Sequence, residues 1–267
     1  MIEQGAVYTF SMTATPSEDH ARRALSFGQV AEDYDHYRPG LPDVVLEWLL
    51  PSDCRVVLDL GAGTGAATGA LASRVDQVIA VEPDPRMRAL IARHAPTAWV
   101  VAGRAEAIPL EESSVDSVVV CSAWHWMDPN LAIPEVARVL RSGGVFGILW
   151  NGLDRESPVM AQMRSFTGEP DTDNERLRSH QPQNVWLPNQ SPFLPPEIEV
   201  IRWIWSTTVD NLVGLLSTRS HVIALSAEKR DQALRAVRVF LERHYGGGGD
   251  RAVALPMACR CWKAVRV

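Results

Sequence analysis

Val56-Val-Leu-Asp-Leu-Gly-Ala-Gly-Thr-Gly65 carries a short apolar run straight into three glycines at alternate positions. Glycine is needed where a chain must bend sharply and bring its backbone close to a ligand, and a helix opening behind the turn offers unpaired N–H groups. A lone glycine turn could equally be a tight strand-to-helix connection with no ligand. Two acids favour a ligand. Asp59 stands two residues before Gly61, at the end of the predicted strand, and Glu82 follows Gly61 by 21 positions in Val81-Glu-Pro-Asp84. An acid at the tip of the second strand is placed to accept both hydroxyl protons of a ribose. The glycine spacing departs from the dinucleotide fingerprint G-x-G-x-x-G, because the third glycine comes one residue early and Ala66 holds the later place. Asp59 would also repel a pyrophosphate. An adenosine-containing ligand is the expectation.

Outward from this turn, β-branched runs alternate with helical stretches from Arg55 to Trp150. The runs are Val56 to Leu60, Val78 to Val81, Trp99 to Val101, Ser117 to Cys121 and Val145 to Trp150. Between them, Ala66 to Val75, Pro85 to His94 and Leu131 to Leu140 space apolar residues by three and four. That alternation predicts an α/β, doubly wound, mostly parallel sheet with crossover helices. Residues 1–24 read as a flexible tail and 25–267 as a single domain. Residues 151–196 lose the rhythm, gather Pro, Asn, Gln and Asp, and read as a lid or substrate insertion after the fifth strand. A strand from Glu199 to Thr207, helices over Asn211 to Leu225 and Ala227 to Tyr245, and a closing edge hairpin ending in Ala252 to Val265 complete the prediction.

Composition narrows the partners. The formal charge of −6 is spread without a Lys/Arg cluster, which argues against a phosphate backbone. Uninterrupted apolar stretches fall short of the roughly 20 residues that span a bilayer. Cys54, Cys121, Cys259 and Cys261 form no C-x-x-C pair, which fits a reducing, cytoplasmic setting. Cys259 and Cys261 alternate on one strand and are expected on a buried face. No metal is expected, since two thiols without a nearby His do not fill a zinc shell. The expected partner is a small molecule, with no nucleic acid and no membrane, and the chain is expected as a monomer or homodimer.

Asp59-x-Gly-x-Gly-x-Gly65 resembles motif I of the class I S-adenosylmethionine-dependent methyltransferases. The likeness continues through Glu82, through Gly103-Arg-Ala-Glu-Ala-Ile-Pro-Leu110 and through Ser114-Val-Asp-Ser117. It is similar in particular to the type 11, trans-aconitate-like branch, matched by Ala31-Glu-Asp-Tyr-Asp-His-Tyr-Arg-Pro39, Ala123-Trp-His-Trp-Met-Asp128 and Ser217-Thr-Arg-Ser220. The resemblance implies a seven-stranded Rossmann-like sheet with a helical lid insertion, and S-adenosyl-L-methionine as cofactor. It implies a cofactor site of Tyr34, Arg38, Asp59, Gly61, Ala62, Gly63, Thr64, Gly65, Glu82, Pro83, Met87, Ala105, Glu106 and Ser122. Asp59 would position the amino-acid end of the cofactor, and Arg38 would pair with its carboxylate. Members of the group commonly carry Asp where this chain has Arg104. A guanidinium has only donors, so adenine contact passes to the Ala105 backbone and Glu106.

Cys121-Ser-Ala-Trp-His-Trp126 follows the fourth strand, whose carboxyl end faces the ligand crevice in sheets of this kind. His125 is either a general base near neutral pH or hydrogen-bonded packing. Trp126 can offer an indole N–H to an acceptor, and His-Trp here resembles carboxyl methyltransferases of small acids. Trp124 and Arg219 are the substrate candidates. These readings together predict O-methylation of a small carboxylic acid ahead of a hydroxyl. N- or C-methylation, a nicotinamide oxidoreductase and a non-catalytic S-adenosylmethionine-binding protein stay open as rivals.

Overall fold

The computed structural model describes residues 37–168, 181–188 and 190–267. The expected tail, Tyr34 and most of the Ala31-to-Pro39 motif lie outside them, as do 169–180 and 189 of the expected insertion.

Helix α1 (Asp43–Leu49) leads into β1 (Val56–Leu60), α2 (Ala66–Ala72) and β2 (Gln77–Val81). Two short turns, α3 (Pro85–Arg88) and α4 (Ile91–His94), precede β3 (Trp99–Val101) and β4 (Val115–Cys121). A 3-10 turn (Trp124–Trp126), α5 (Pro129–Val139) and the long β5 (Leu140–Leu153) follow. The remainder is α6 (Pro158–Thr167), a 3-10 turn (Pro182–Asn184), β6 (Glu197–Thr208), α7 (Val209–Ser217), α8 (Ser220–Ile223), α9 (Ala227–Tyr245) and β7 (Ala252–Val265).

The seven strands lie in the order β3-β2-β1-β4-β5-β7-β6. Strands β1 to β5 pair in parallel, and β7 runs antiparallel to both β5 and β6. The expected doubly wound sheet is therefore present, with one antiparallel strand. Both faces of its centre are apolar, as parallel strands require. One face packs Leu58, Val118, Phe146, Ile148 and Trp262 against Ile133 and Val136 of α5. The opposite face packs Val57, Val119 and Leu149 against Val45 and Leu49 of α1 and Leu71 of α2. Cys259 and Cys261 share that second face, buried, as the alternation predicted.

Three local expectations are corrected. The terminal strand is no edge hairpin: β7 sits between β5 and β6, and β6 is the edge. Burial on both faces of β7 explains this, since Val253, Leu255 and Met257 pack on one side and Trp262 and Ala264 on the other. The helix expected over Pro85 to His94 is two turns, because Leu90 N–H bonds to Met87 O and Arg93 N–H to Leu90 O, each three residues back. The helix expected over Asn211 to Leu225 breaks where the Ser217 and Thr218 hydroxyls donate to Gly214 O at 2.7 Å and Leu215 O at 2.8 Å.

Part of the 151–196 stretch belongs to the body of the fold. Residues 151–153 extend β5, and Met160 and Met163 of α6 are buried in a third cluster with Leu212, Leu216, Val237 and Leu241. Among the described residues no helix is long and apolar enough to cross a membrane.

Candidate active site

The carboxyl ends of β1 and β2 build a cradle from backbone. Gly61, Gly63 and Gly65 have φ of 75°, 58° and 99°, a left-handed region that glycine enters without strain. At Gly65 a Cβ would stand 2.9 Å from the Ile91 Cα, and at Gly61 it would stand 2.8 Å from the Ala123 Cβ. At Gly63 it would meet nothing within 4 Å. The first and third glycines are thus required by the protein's own packing, whereas the middle one faces open space. Ala62 is buried beside Ala80 and Ile91, and Thr64 is buried within the same turn.

Glu82 locks this turn. Its Oε2 accepts the Gly63 N–H at 2.8 Å and its Oε1 accepts the Asp84 N–H at 2.9 Å. Each oxygen keeps a second lone pair for a further donor. Burial pushes the Glu82 carboxyl up, against the two backbone hydrogen bonds. Asp84 caps α3 through the Arg86 N–H, and Met87 is buried against Leu90 while Pro83 is exposed.

Asp59 is fully buried at the end of β1. The Thr68 hydroxyl of α2 donates to its Oδ2 at 2.6 Å, and its Oδ1 has no hydrogen-bond partner. Burial raises the Asp59 pKa to about 7, with the Thr68 hydrogen bond opposing and the Glu82 charge adding. A buried carboxylate oxygen left without a donor is costly, and the cofactor of the family suggested by the sequence carries an ammonium that would satisfy it. The orphaned oxygen, the open side of Gly63 and the spare lone pairs of Glu82 fit an adenosyl amino acid. Arg38 lies close enough to bear on the same corner, since its charge opposes the burial and the Asp59 charge that push the Cys121 thiol up to about 12.

The expected adenine contacts stand differently. Ala105 is buried, and the exposed Arg104 turns back so that its Nε lies 3.4 Å from Glu106 Oε2. Glu106 Oε1 accepts the Asp128 N–H at 3.0 Å, which ties the loop after β3 to the start of α5. Glu106 therefore has a structural task in addition to any ligand contact.

Strand β4 ends on strained backbone. Ser122 has φ of 55°, held by its N–H to Leu149 O at 2.7 Å. Non-glycine residues in that region are uncommon and concentrate at functional sites. The chain then winds into the Trp124–Trp126 turn. Trp124 is buried and packs edge-on to Phe146 with centroids 5.5 Å apart, so its ring belongs to the core. His125 and Trp126 are half-buried, their rings 4.8 Å apart. Arg219 sits in the break between α7 and α8, where its carbonyl accepts the Val222 and Ile223 N–H groups. Among the described residues, no group of three His, Cys, Asp or Glu side chains is arranged to hold a metal.

Sequence reasoning missed Thr68, Trp150 and Arg260. Thr68 carried a signal, being a polar residue on the face of α2 otherwise buried through Ala67 and Leu71. Arg260 carried one too, as a charge inside the apolar run of β7.

A methyltransferase domain model, type 11, matches residues 58–148. An uncharacterized methyltransferase of Mycobacterium tuberculosis is 38% identical over 241 residues, 90% of this chain and 96% of the relative. A malonyl-acyl-carrier-protein O-methyltransferase of Herminiimonas arsenicoxydans is 31% identical over 175 residues, 64% of this chain and 65% of its own. The solved structure of a proposed type II methyltransferase from Anaeromyxobacter dehalogenans superimposes with a TM-score of 0.64 at 27% identity, over 86% of this chain and 98% of that one. With its glycine turn, strand-tip acids and sheet order, this chain belongs to the class I S-adenosylmethionine-dependent methyltransferases, with a type 11 methyltransferase domain.

Proposed function

We propose that this methyltransferase holds S-adenosylmethionine over the Gly61–Gly65 turn and methylates an oxygen of a small organic acid. In this reading Asp59 Oδ1 receives the ammonium of the cofactor, and the Glu82 oxygens receive ribose hydroxyls. When bound, the cofactor supplies an electrophilic methyl group on a sulfonium. The task of the protein is then to place a nucleophile in line and exclude water, an alignment that can lower a barrier by roughly 7–11 kcal/mol.

The observation that carries the acceptor class is the employment of the acids around the crevice. Asp59 and Glu82 serve the cradle, and Glu106 is held by Asp128 and Arg104. Among the described residues, none of these acids is left to deprotonate an alcohol. A carboxylate arrives already ionised and needs no base. Trp126 offers a donor to hold it beside His125, and a negative oxygen facing a sulfonium gains from charge attraction in a dry site. The malonyl-acyl-carrier-protein O-methyltransferase, whose name denotes transfer to oxygen, supports the same class. The test is a mass-spectrometric screen of the pure protein with S-adenosylmethionine across metabolite acids, phenols and amines. Acids that gain a methyl ester, cleaved by mild alkali, are the expected products; methylation confined to amines or carbon would overturn the reading.

A further inference from the structure

Strands β5 and β7 bring together two polar groups that the fold does not satisfy. Trp150 on β5 is the direct partner of Arg260 on β7, and direct partners in an antiparallel pair share a face. That face is the one lined by Phe146, Ile148 and Trp262. Leu149, one residue before Trp150, pairs with Cys121 at the end of β4. The Trp150–Arg260 pair is therefore level with the point where β4 gives way to the Trp124–Trp126 turn, at the carboxyl end where sheets of this class bind ligands.

Trp150 is buried and its Nε1–H has no hydrogen-bond partner. The Arg260 guanidinium is half-buried and makes no hydrogen bond or ion pair with a described residue. The nearby acids are already taken: Arg202 holds Asp154 at 3.1 Å and Glu156 at 2.7 Å. A second guanidinium, that of Arg155, bears on Arg260 and adds to the burial that pulls its pKa down. A cation withdrawn from water beside a like charge is costly unless an anion completes the site.

We infer that Arg260 and the Trp150 indole N–H form an anion subsite that holds a negatively charged group of the methyl acceptor. A guanidinium presents paired donors to a carboxylate, and the indole adds a third. The subsite binds and does not react, so it acts on KM. It rests on the reading of the acceptor as an organic acid.

The test measures thermal stabilisation of the protein, saturated with S-adenosylhomocysteine, by the dicarboxylate glutarate and by inorganic phosphate. Wild type should be stabilised by glutarate. Arg260→Met should need at least about tenfold more glutarate for the same effect, as expected for loss of charge-assisted hydrogen bonds. Trp150→Phe keeps the ring packing, removes the N–H and should show a smaller loss in the same direction; it stands in should Arg260→Met fold poorly. Arg260→Lys should recover part of the effect. Affinity for S-adenosylhomocysteine should be unchanged throughout. Equal stabilisation of wild type and both variants, or no stabilisation of wild type by either anion, overturns the subsite. Weakened anion binding in Arg260→Met, in an enzyme that methylates only neutral acceptors, keeps the subsite and sinks the organic-acid reading. Acids methylated with the same KM by both proteins do the reverse.

Discussion

The two halves of the crevice are built by different rules. Over β1 and β2 the ligand-facing groups are fixed by the chain itself: Glu82 clamps the backbone at Gly63 and Asp84, and Thr68 holds one oxygen of Asp59. Over β5 and β7 the comparable groups are side chains with partners missing, Arg260 and the Trp150 indole. A cofactor shared across a family can be met by a preformed backbone turn. An acceptor that differs between members must be met by side chains, which change without disturbing the sheet. The contrast teaches that the cofactor half is preorganised by backbone clamps, whereas the proposed acceptor half is left to side chains that the fold does not clamp.

The sharpest way to break this comparison is to remove one anchor from each half. Glu82→Ala frees both the turn and the proposed ribose contacts, so S-adenosylhomocysteine binding should weaken by about one to two decades or more, at roughly 1.5–3 kcal/mol per charged hydrogen bond. Arg202→Ala, which removes partly exposed ion pairs, should leave that affinity within about twofold, since such pairs contribute little. Calorimetry on both variants decides; equal losses would mean that the halves are not independent.

Asp59 sharpens the comparison through pH. Its pKa of about 7 lies above the ordinary 3.8. In the free protein it therefore keeps its proton below about pH 7, while an ammonium ligand favours the carboxylate. Affinity for S-adenosylhomocysteine should rise about tenfold per pH unit up to about pH 7 and then level off. Stability moves the other way. With the folded pKa above the unfolded one, the folded state binds more protons between the two values, so Asp59 lowers stability progressively as pH rises from about 4 to about 7. Asp59→Asn should flatten both profiles. A pH-independent affinity across this range would remove Asp59 from contact with the ammonium.

The sequence made the cofactor half legible because its constraints are local. Three glycines and two acids must stand at set intervals for one strand-turn-helix unit to bend and for the next strand tip to meet it. The central parallel strands were equally legible, because strands buried on both faces read as unbroken apolar runs. The proposed acceptor half depends on cross-strand register instead. Trp150 and Arg260 are 110 positions apart and meet only because β7 inserts between β5 and β6, a placement the alternating pattern of β7 did not reveal. Trp124 was drawn toward the acceptor by its neighbours in sequence, whereas its ring packs against Phe146 in the core. The 151–196 stretch read as an insertion over the crevice with scattered apolar anchors, whereas Met160 and Met163 seat α6 in a third core of the body, a packing partner that lies more than forty residues away and that local composition does not reveal.

A smaller effect is expected from Thr68. Thr68→Val keeps the shape of the buried side chain and removes the hydroxyl that donates to Asp59 Oδ2. A hydrogen bond to a buried carboxylate of this kind favours the ionised form. Its loss should raise the pH at which affinity levels off and weaken S-adenosylhomocysteine binding at neutral pH by about fivefold to tenfold, as expected for a net of roughly 1 kcal/mol or a little more. Affinity should return toward the wild-type value at higher pH, and Thr68→Ser should restore it at neutrality. Weakening that is the same at every pH would mark Thr68 as packing alone.

The smallest change is expected at His125, and its size separates two chemistries. If the acceptor is a carboxylate, as proposed, the nucleophile is already ionised, and His125 contributes only orientation beside Trp126, whose ring centre lies 4.8 Å away. His125→Ala should then lower kcat by a few-fold at most and leave kcat/KM flat above the pKa of the acid itself, typically about 4. If the acceptor were a hydroxyl, the same substitution would remove a general base with a contribution of roughly 10²–10⁴-fold and erase a titration near neutrality. A flat profile in wild type and variant alike, measured on an acid from the screen, is the expected result. A bell or step near neutral pH that disappears with the imidazole would move the reaction to a hydroxyl acceptor, and with it the burden of activation from the substrate to the protein.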